Sequence, residues 1–414
     1  MKRLIFPLLI IIASILVAYC ILSTWRGMAL SQKAYTRENL LEAARMEPSN
    51  PDPFQKLGVL HQWNLLQVDL EEAAQYFQKA IERNPLEQEY WLHLAMIFQR
   101  MGKPGASDHA LQNALLVFPT SYRGKWVAGN LLLQRGELEN ALPHFSYILS
   151  HYPNQSSLVY DIWLKAVNDP DFIIERLIPG DPSSLHQYLT YLYGVGDTNS
   201  ARKSWAKLMS LEQKPDCAKA IRHIEFLISR GELTEASQIW KARLHQEGFD
   251  IPSDGNAVTN GGFEREKILG GGFDWKIHPV AGAEISFDQT VAIEGECSLK
   301  IAFNGKENVD FHHVSQYVAL KPDTPYALTA HMKTKDITTK SGLKIEALGV
   351  GPAFYGASKS LTGNNDWNEL TVAFRTPDHS QGGIIRVRRT KTDKFDRFIS
   401  GTVWVDNVQI KEMQ

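Results

Sequence analysis

The chain has 414 residues, more than one hydrophobic core usually organises, so two or more domains are expected. It carries 44 basic and 46 acidic side chains and a formal net charge of −2, so its overall charge does not indicate a nucleic-acid partner. Its three cysteines are Cys20, Cys217 and Cys297. Because they fall in segments of different character, we predict neither a disulfide nor a cysteine metal site.

An uncharged, apolar run opens the chain at residues 4–22, directly after two basic residues. At about 1.5 Å per residue, this run spans a hydrocarbon core of roughly 30 Å. The alternative is a cleaved signal peptide, whose apolar region is normally only about 7–15 residues long. Lipoprotein processing at Cys20 would have to follow the bulky Tyr19. We predict a cytoplasmic tip and an uncleaved transmembrane anchor in residues 1–25. The chain would then cross a bacterial-type inner membrane once, with its bulk in the periplasm.

Prolines mark a helical repeat over residues 33–248. Pro85, Pro119 and Pro153 are each 34 residues apart, and two glycines at the expected helix turns repeat with the same spacing. A proline at such a position ends one helix before the next begins. A period of 34 residues is that of helix–turn–helix repeats of the tetratricopeptide type.

The 34-residue spacing extends along the helical region, but some of the repeats are irregular. Pro48 precedes Pro85 by 37 residues, which predicts a three-residue insertion near residues 61–69. We expect a half repeat from Lys33 to Met46, five recognisable repeats, and a distorted one at 154–182, where three prolines interrupt the pattern.

The repeats resemble tetratricopeptide proteins, and the resemblance implies a right-handed helical solenoid that binds protein partners in its concave groove. It does not imply catalysis. Carried over position by position, the family's groove falls on the first helix of two successive units, at Arg123, Trp126, Asn130 and Gln134 in one and at Glu89 and Arg100 in the preceding one. The alternative is that apolar members such as Trp126 only pack between repeats.

The pattern changes after residue 249. Residues 249–259 are rich in Pro, Gly, Asn and Asp and are typical of a linker. Beyond them, eight short segments alternate with period two, which predicts strands of an antiparallel sandwich or jelly roll over 260–412. The segments are AEISFD, SLKIAFN, HHVSQYVAL, YALTAHMKT, GLKIEALGV, NELTVAFRT, IIRVRRT and GTVWVDNVQI. The predicted fold is therefore multidomain: a transmembrane helix, an all-α solenoid and an all-β jelly roll.

The last of these segments poses a problem of its own. Strict alternation places Trp404, Val408 and Ile410 on one apolar face together with Asp406. A carboxylate on such a face is costly to bury without a partner. Asp406 is therefore expected to have one.

The sequences NGGFE at 260–264, GGFDW at 271–275 and the closing VWVDNVQI resemble the galactose-binding-like jelly rolls of carbohydrate-binding modules. Many such modules hold a calcium ion between the glutamate of the first motif and the aspartate of the last strand. The resemblance thus implies a structural Ca²⁺ at Glu264 and Asp406, with Glu296 as a third candidate ligand. The alternative, left open, is that Asp406 accepts hydrogen bonds from backbone amides without a metal.

A sugar-binding site needs an aromatic surface with polar groups beside it. Phe354, Tyr355 and Trp367 supply aromatic side chains in predicted loops, and Arg386 and Arg388 share one face of their strand. Together they could hold an acidic sugar. The competing interpretations are that the aromatic residues pack against the core and that the basic strand is a charged sheet edge.

Motifs of serine hydrolases, zinc proteases and phosphate-binding loops are missing from the sequence. We therefore expect a non-enzymatic envelope scaffold that binds protein partners and possible polysaccharide ligands, with no nucleic-acid partner. Surface polysaccharide assembly or export is the expected context. One alternative is an assembly factor for envelope complexes whose jelly roll contacts only protein, and a remote one is a glycan-active enzyme.

Overall fold

The computed structural model of the chain describes residues 2–33, 36–64, 68–167, 169–249 and 255–413. Parts of the predicted linker, at 250–254, and of the predicted insertion, at 65–67, lie outside the described residues. The chain divides into two compact units. The first is Met1–Val195 with Ser200–Ala206, and the second is Gly196–Asn199 with Lys207–Gln414.

The N-terminal half of the chain is helical, as predicted. Its α-helices, numbered α1 to α14, are Lys2–Lys33, Arg37–Met46, Asp52–Trp63, Leu70–Arg83, Gln88–Arg100, Pro104–Val117, Tyr122–Gln134, Leu138–His151, Ser156–Val167, Pro170–Phe172, Pro182–Val195, Thr198–Ser210, Cys217–Ser229 and Leu233–Gln246. Within α1, the segment Ile10–Leu30 is long and apolar enough to cross a membrane, by length and composition alone.

Paired helices follow the predicted phase. Gly102, Gly136 and Gly231 lie at the turns between paired helices with φ between +70° and +80°, a conformation that glycine adopts without strain. Gly58 of α3 and Phe77 of α4 show how a small residue and an aromatic one pack the two helices of a repeat together. A Cβ atom added to Gly58 would lie 2.7 Å from the Phe77 ring, so only glycine allows α3 and α4 to approach this closely.

The first hairpin begins earlier than predicted. Its first helix is the end of α1, because Ser23 Oγ donates to the Met46 carbonyl at 3.2 Å and Arg26 pairs with Glu42 at 3.3 Å. Gly27 is buried at this contact. The predicted half repeat is therefore completed by α1, a role that the apolar composition of α1 concealed.

The distorted repeat contains a short second helix. Asp169 caps α10, its Oδ1 accepting hydrogen bonds from the backbone N–H groups of Asp171 and Phe172. The helix then continues as a π-helix over Ile173–Leu177. Prolines thus shorten the unit without removing it.

The C-terminal half is an antiparallel β-sandwich. Its strands, β1 to β10, are Lys276–Ile277, Ala283–Asp288, Ser298–Asn304, Phe311–Ala319, Pro325–Ile337, Lys344–Gly349, Tyr355–Ala357, Gly363–Arg375, Gly382–Arg389 and Ser400–Glu412. Sheet A has the order β1-β4-β9-β6-β7, and sheet B has the order β2-β3-β10-β5-β8. All eight predicted strands are present, and the short β1 and β7 were not predicted. The side chains between the sheets form one apolar core.

The predicted alternation of β10 is wrong. Its pairing with β5 shifts register between Asp406 and Gln409, and Asn407 has a φ of 46°. Such a bulge changes which face the following residues occupy. Val405 and Val408 therefore both reach the core, whereas Trp404 belongs to the opposite face, near Lys300.

Candidate functional site

The predicted groove residues of the helical unit lie on α5 and α7. A cavity of about 270 Å³ is lined by Gln62, Trp63, Met96, Gln99, Arg100, Arg123, Trp126, Val127, Asn130, Leu131 and Gln134. Five of the six predicted groove residues are in this set. The sixth, Glu89, is paired with Arg123 at 3.4 Å. The structure thus brings the predicted residues together in one concave site.

The wall of this groove combines a cation with an exposed indole. The Arg100 guanidinium lies 5.5 Å from the centre of the Trp63 ring and donates to the Gln62 carbonyl at 3.1 Å. Trp63 is 57% exposed. An exposed aromatic side chain held by a cation provides contact area for a partner at a small cost in conformational entropy.

The floor of the groove is fixed by packing. Trp126 makes an edge contact with Phe145, their ring centres 5.9 Å apart, and its carbonyl accepts a hydrogen bond from Asn130 Nδ2 at 2.8 Å. Trp126 therefore both packs between helices and lines the cavity. Beside the groove, burial and the charge of Arg123 lower the pKa of His93 to about 4.

The second candidate site is the outer face of sheet A. Residues that alternate with the core positions of β1, β4, β9 and β6 point away from the core, and β7 extends this face along β6. This face carries Lys276, Ser315, Tyr317, Ile384, Arg386, Arg388, Lys344, Glu346, Leu348 and Tyr355.

Glu346 is the centre of a charge network on this face. Its Oε2 accepts hydrogen bonds from Arg386 Nε and Nη2 at 3.0 and 2.8 Å, and its Oε1 lies 2.8 Å from Lys344 Nζ. Burial alone raises the pKa of Glu346, but the hydrogen bonds from Lys344, Tyr355 and Arg386 outweigh it, so the pKa lies below its ordinary value. The carboxylate is therefore ionised and orients the side chains around it.

Tyr355 is held by the same carboxylate. Its hydroxyl donates to Glu346 Oε1 at 2.8 Å and accepts from Lys344 Nζ at 3.2 Å. The residue is nevertheless 60% exposed. A ring anchored by its hydroxyl and open to solvent is a preorganised stacking surface.

Two of the predicted sugar-site residues lie elsewhere. Phe354 stacks on Phe374 with ring centres 5.0 Å apart and packs against the sandwich core. Trp367 lies on β8, in sheet B. The prediction therefore splits: Tyr355, Arg386 and Arg388 share the outer face of sheet A, whereas Phe354 and Trp367 do not join them.

Lys344, Glu346, Tyr317 and Lys276 were missed by sequence reasoning. Lys344 and Glu346 alternate with the buried Ile345 in the predicted strand GLKIEALGV, so its polar face was recognisable. The sequence did not show which strand lies next to β6. In the structure β6 pairs with β9, and this pairing sets Glu346 opposite Arg386.

Of the predicted calcium ligands, Asp406 lies on β10 of sheet B, whereas Glu264 and Glu296 lie in loops. Asp406 is fully buried, and its Oδ2 accepts hydrogen bonds from the backbone N–H groups of Ile293 and Glu294 at 3.0 and 3.3 Å. Glu264 accepts from the backbone N–H of Glu296 at 3.1 Å through both oxygens. Both carboxylates thus hold the same loop.

Both carboxylates lie near Gly262. A Cβ atom added to Gly262 would lie 3.7 Å from Glu264 Oε1 and 3.8 Å from Asp406 Oδ1. Burial, and to a smaller degree the charge of Glu264, raise the pKa of Asp406. In the part of the chain that the structure describes, neither carboxylate has a basic side chain within ion-pair distance. Two like charges without a basic partner are compatible with a bound cation.

The third predicted ligand does not fit this role. The Glu296 side chain is exposed, and the residue contributes its backbone N–H rather than a carboxylate. Among the described residues, no group of three His, Cys, Asp or Glu side chains is placed to hold a metal. A calcium ion would therefore need Glu264, Asp406 and further oxygens from backbone carbonyls or water.

Comparison with protein families agrees with both halves of the fold. Residues 255–394 match a carbohydrate binding domain, and residues 94–156 match a tetratricopeptide repeat. Over an alignment of 175 residues, the chain is 23% identical to the tRNA(Glu)-specific nuclease WapA of Bacillus subtilis subsp. natto. The alignment covers 40% of this chain but only 7% of the length of WapA.

Solved structures of both kinds are also similar to the chain. A family 16 carbohydrate-binding module is 23% identical, with 37% of this chain and 99% of the module covered and a TM-score of 0.26. PilF of Pseudomonas aeruginosa is 18% identical, with 49% of this chain and 93% of PilF covered and a TM-score of 0.28. From its sequence matches and its fold, the chain combines tetratricopeptide repeats with a C-terminal β-sandwich like that of carbohydrate-binding modules.

Proposed function

We propose that this protein is a membrane-anchored scaffold of the cell envelope, which binds a protein partner in its helical groove and a glycan on the outer face of sheet A. The observation that carries the first part is the cavity that gathers Arg100, Arg123, Trp126, Asn130 and Gln134. Repeats of this type use such concave surfaces for protein recognition.

The glycan part of the proposal is supported by Tyr355. Its exposed ring is oriented by Glu346 and lies beside Arg386 and Lys344. Sugar rings stack on aromatic surfaces, and their hydroxyl groups exchange hydrogen bonds with neighbouring charged side chains. The match of this sandwich to a carbohydrate binding domain supports the same assignment.

The membrane part of the proposal rests on the apolar segment Ile10–Leu30 of α1. We infer an uncleaved anchor with the remaining chain outside the cytoplasm, where a surface polysaccharide is within reach. Assembly or export of that polysaccharide would use both binding sites, one for a protein of the export machinery and one for the glycan.

We also propose a structural calcium ion between Glu264 and Asp406. Calcium prefers several oxygen ligands at about 2.3–2.6 Å, and an ion here would neutralise two neighbouring carboxylates. It would join the first loop of the sandwich to its last strand and would stabilise the fold without touching the glycan face.

The experiment is capture of partners from detergent-solubilised membranes with the full-length protein as bait, followed by a glycan array. We expect a specific protein partner whose capture fails when the groove is altered, and glycan binding that fails in Tyr355→Ala. Tyr355→Phe is the matched control for the ring, because it keeps the stacking surface and loses only the hydroxyl with its hydrogen bonds to Glu346 and Lys344.

The second candidate function is an assembly factor whose sandwich contacts only protein. It would be favoured by a partner that binds in the absence of any glycan and depends on Tyr355. In that case the array would show no glycan binding by the unaltered protein, and the glycan half of the proposal would be wrong.

A further inference from the structure

The two sheets of the sandwich differ in charge. The five strands of sheet A contain one acidic residue, Glu346, and five basic ones, at positions 276, 344, 386, 388 and 389. The five strands of sheet B contain seven acidic residues, at 284, 288, 336, 366, 369, 406 and 412, against five basic ones, at 300, 333, 335, 375 and 411. The outer face of sheet A, on which we propose that a glycan binds, is therefore on the basic side of the sandwich.

The cations of sheet A are gathered on its outer face. Arg389 is fully buried, but Lys276, Lys344, Arg386 and Arg388 all lie on the outer side. Cross-strand register sets Lys344 opposite Arg388 and Glu346 opposite Arg386. The face is thus a continuous basic surface across β9 and β6.

Ion pairs within the sandwich neutralise only part of the positive charge of this face. Glu346 is shared by Lys344, Arg386 and, at 3.9 Å, Arg388. The carboxylate of Asp310 pairs with Arg388 at 2.5 Å. Four cations therefore face two carboxylates, and Glu346, which is 2% exposed, lies beneath the cations rather than at the surface.

Aromatic side chains lie at both ends of this basic surface. Tyr355 is on β7, and Lys344 Nζ is 6.0 Å from the centre of its ring. Across the sheet, Lys276 Nζ is 4.8 Å from the centre of the Tyr317 ring. The ammonium group of Lys344 lies beside the Tyr355 hydroxyl and that of Lys276 lies over the Tyr317 ring, so each tyrosine combines an aromatic surface with a positive charge.

We infer that the ligand of this face is an acidic polysaccharide, whose sugar rings stack on the tyrosines while its carboxylate or sulfate groups meet Lys276, Lys344 and the arginines. This inference rests on the proposed glycan-binding function and specifies its ligand class. A neutral glycan would leave the excess positive charge of the face unused.

The experiment uses the full-length protein in detergent and four polymers of comparable length: polygalacturonate, dextran sulfate, neutral xylan and single-stranded RNA. Affinity is measured by calorimetry at low and at moderate salt. We expect binding to one or both acidic polysaccharides, weakened by salt because exposed charges are screened, and little binding to xylan. The first two polymers distinguish carboxylate from sulfate recognition.

Substitutions assign the binding to this face. Lys276→Met together with Lys344→Met should weaken acidic-polysaccharide binding by about fivefold, a typical effect for two partly exposed charges, and should reduce the salt dependence. Lys333→Met is the matched control, because Lys333 is on sheet B and pairs with Asp366. The control should leave binding unchanged.

Each other outcome overturns a defined part of the inference. Binding to xylan in preference to the acidic polymers would retain the glycan function and reject the acidic ligand. Tighter binding to RNA than to either acidic polysaccharide would reject the acidic-glycan ligand in favour of nucleic acid. Binding to none of the polysaccharides would reject the proposed glycan function itself, and an equal loss in Lys333→Met would reject the assignment to sheet A.

Discussion

Trp240 of α14 donates a hydrogen bond from its indole Nε1 to Thr259 Oγ1, at 3.3 Å, where the chain enters the sandwich. Thr259 in turn exchanges two backbone hydrogen bonds with the Gln316 side chain of β4, at 2.9 and 2.8 Å. The Trp240 ring also lies 6.1 Å from that of Phe273. Trp240 is 2% exposed, so the last repeat helix and the sandwich share one buried contact.

This contact predicts that α14 and the sandwich unfold together. Trp240→Ala should destabilise both by about 3–5 kcal/mol, because it leaves a large cavity, whereas Trp240→Phe should cost about 1 kcal/mol for the lost hydrogen bond. Thermal unfolding of the full-length protein, followed by circular dichroism in the far ultraviolet for the helices and in the near ultraviolet for aromatic packing, measures the difference. The exposed Trp63→Ala is the control. Loss of helical signal alone, with the sandwich intact, would contradict the coupling.

Trp240 also shows how far the sequence could be interpreted. Trp240 lies 35 residues after Trp205, close to the 34-residue period, which is the spacing expected of the aromatic position of a repeat and agrees with its place on α14. Its contact with Thr259 could not be predicted, because periodicity describes packing within one repeat and not packing against a different fold.

The sandwich shows the same limit. Alternation predicted eight strands because each runs for six residues or more, whereas β1 and β7 have only two and three residues. Tyr355 was therefore assigned to a loop although it belongs to β7. The bulge at Asn407 was also invisible, since one residue in a positive-φ conformation changes the face of every residue after it.

The groove prediction concerns Arg123 and Asn130. Changing both to alanine should weaken a captured partner by about tenfold or more, because two polar contacts at the centre of a groove are removed. Helical circular dichroism should not change, since Arg123 is exposed. Partner affinity is measured by surface plasmon resonance. A partner that binds through the sandwich and ignores both substitutions would show that the groove is not the docking site.

Acid should destabilise the helical region. Burial, with the charges of Arg123 and Lys125 respectively, lowers the pKa of His93 and of His144 to about 4. An unfolded histidine titrates near about 6.5, so between these values the unfolded chain binds more protons and stability falls as pH falls.

For His93 alone the loss at pH 5 is about 2 kcal/mol as an order of magnitude. Urea unfolding followed by far-ultraviolet circular dichroism at pH 8, 6 and 5 measures it. His93→Gln should flatten this pH dependence, and His151→Gln, at an exposed position, should not. An unchanged slope in His93→Gln would mean that His93 is not held neutral in the folded protein.

The anchor prediction concerns topology. Alkaline phosphatase fused after residue 250 should be active, because the enzyme folds only outside the cytoplasm, and the protein should stay in the membrane after carbonate washing. Activity assays and fractionation give both results. A soluble protein that begins near residue 24 would identify residues 4–22 as a cleaved signal instead of an anchor.

The calcium prediction separates two roles of Asp406, that of a calcium ligand and that of a hydrogen-bond acceptor only. If calcium joins Glu264 and Asp406, the sandwich transition of the full-length protein should occur at a higher temperature in calcium than in chelator. A ligand that binds only the folded state stabilises it by about 2.7 kcal/mol at one hundred times its dissociation constant. Asp406→Asn should remove most of that difference, because it deletes a charged oxygen ligand and nearly preserves the shape.

The control for this prediction is the same variant in chelator. If Asp406 only accepts hydrogen bonds from Ile293 and Glu294, Asp406→Asn destabilises the sandwich equally with and without calcium, because the loss is that of a buried, hydrogen-bonded carboxylate. An unchanged melting temperature across a calcium titration into the millimolar range, starting from metal-free protein, would assign Asp406 that role alone. Glu264→Gln separates the cases further, because its amide oxygen can still accept the hydrogen bond from the Glu296 N–H, so a cost in stability that is clearly larger in calcium than in chelator would identify Glu264 as a ligand.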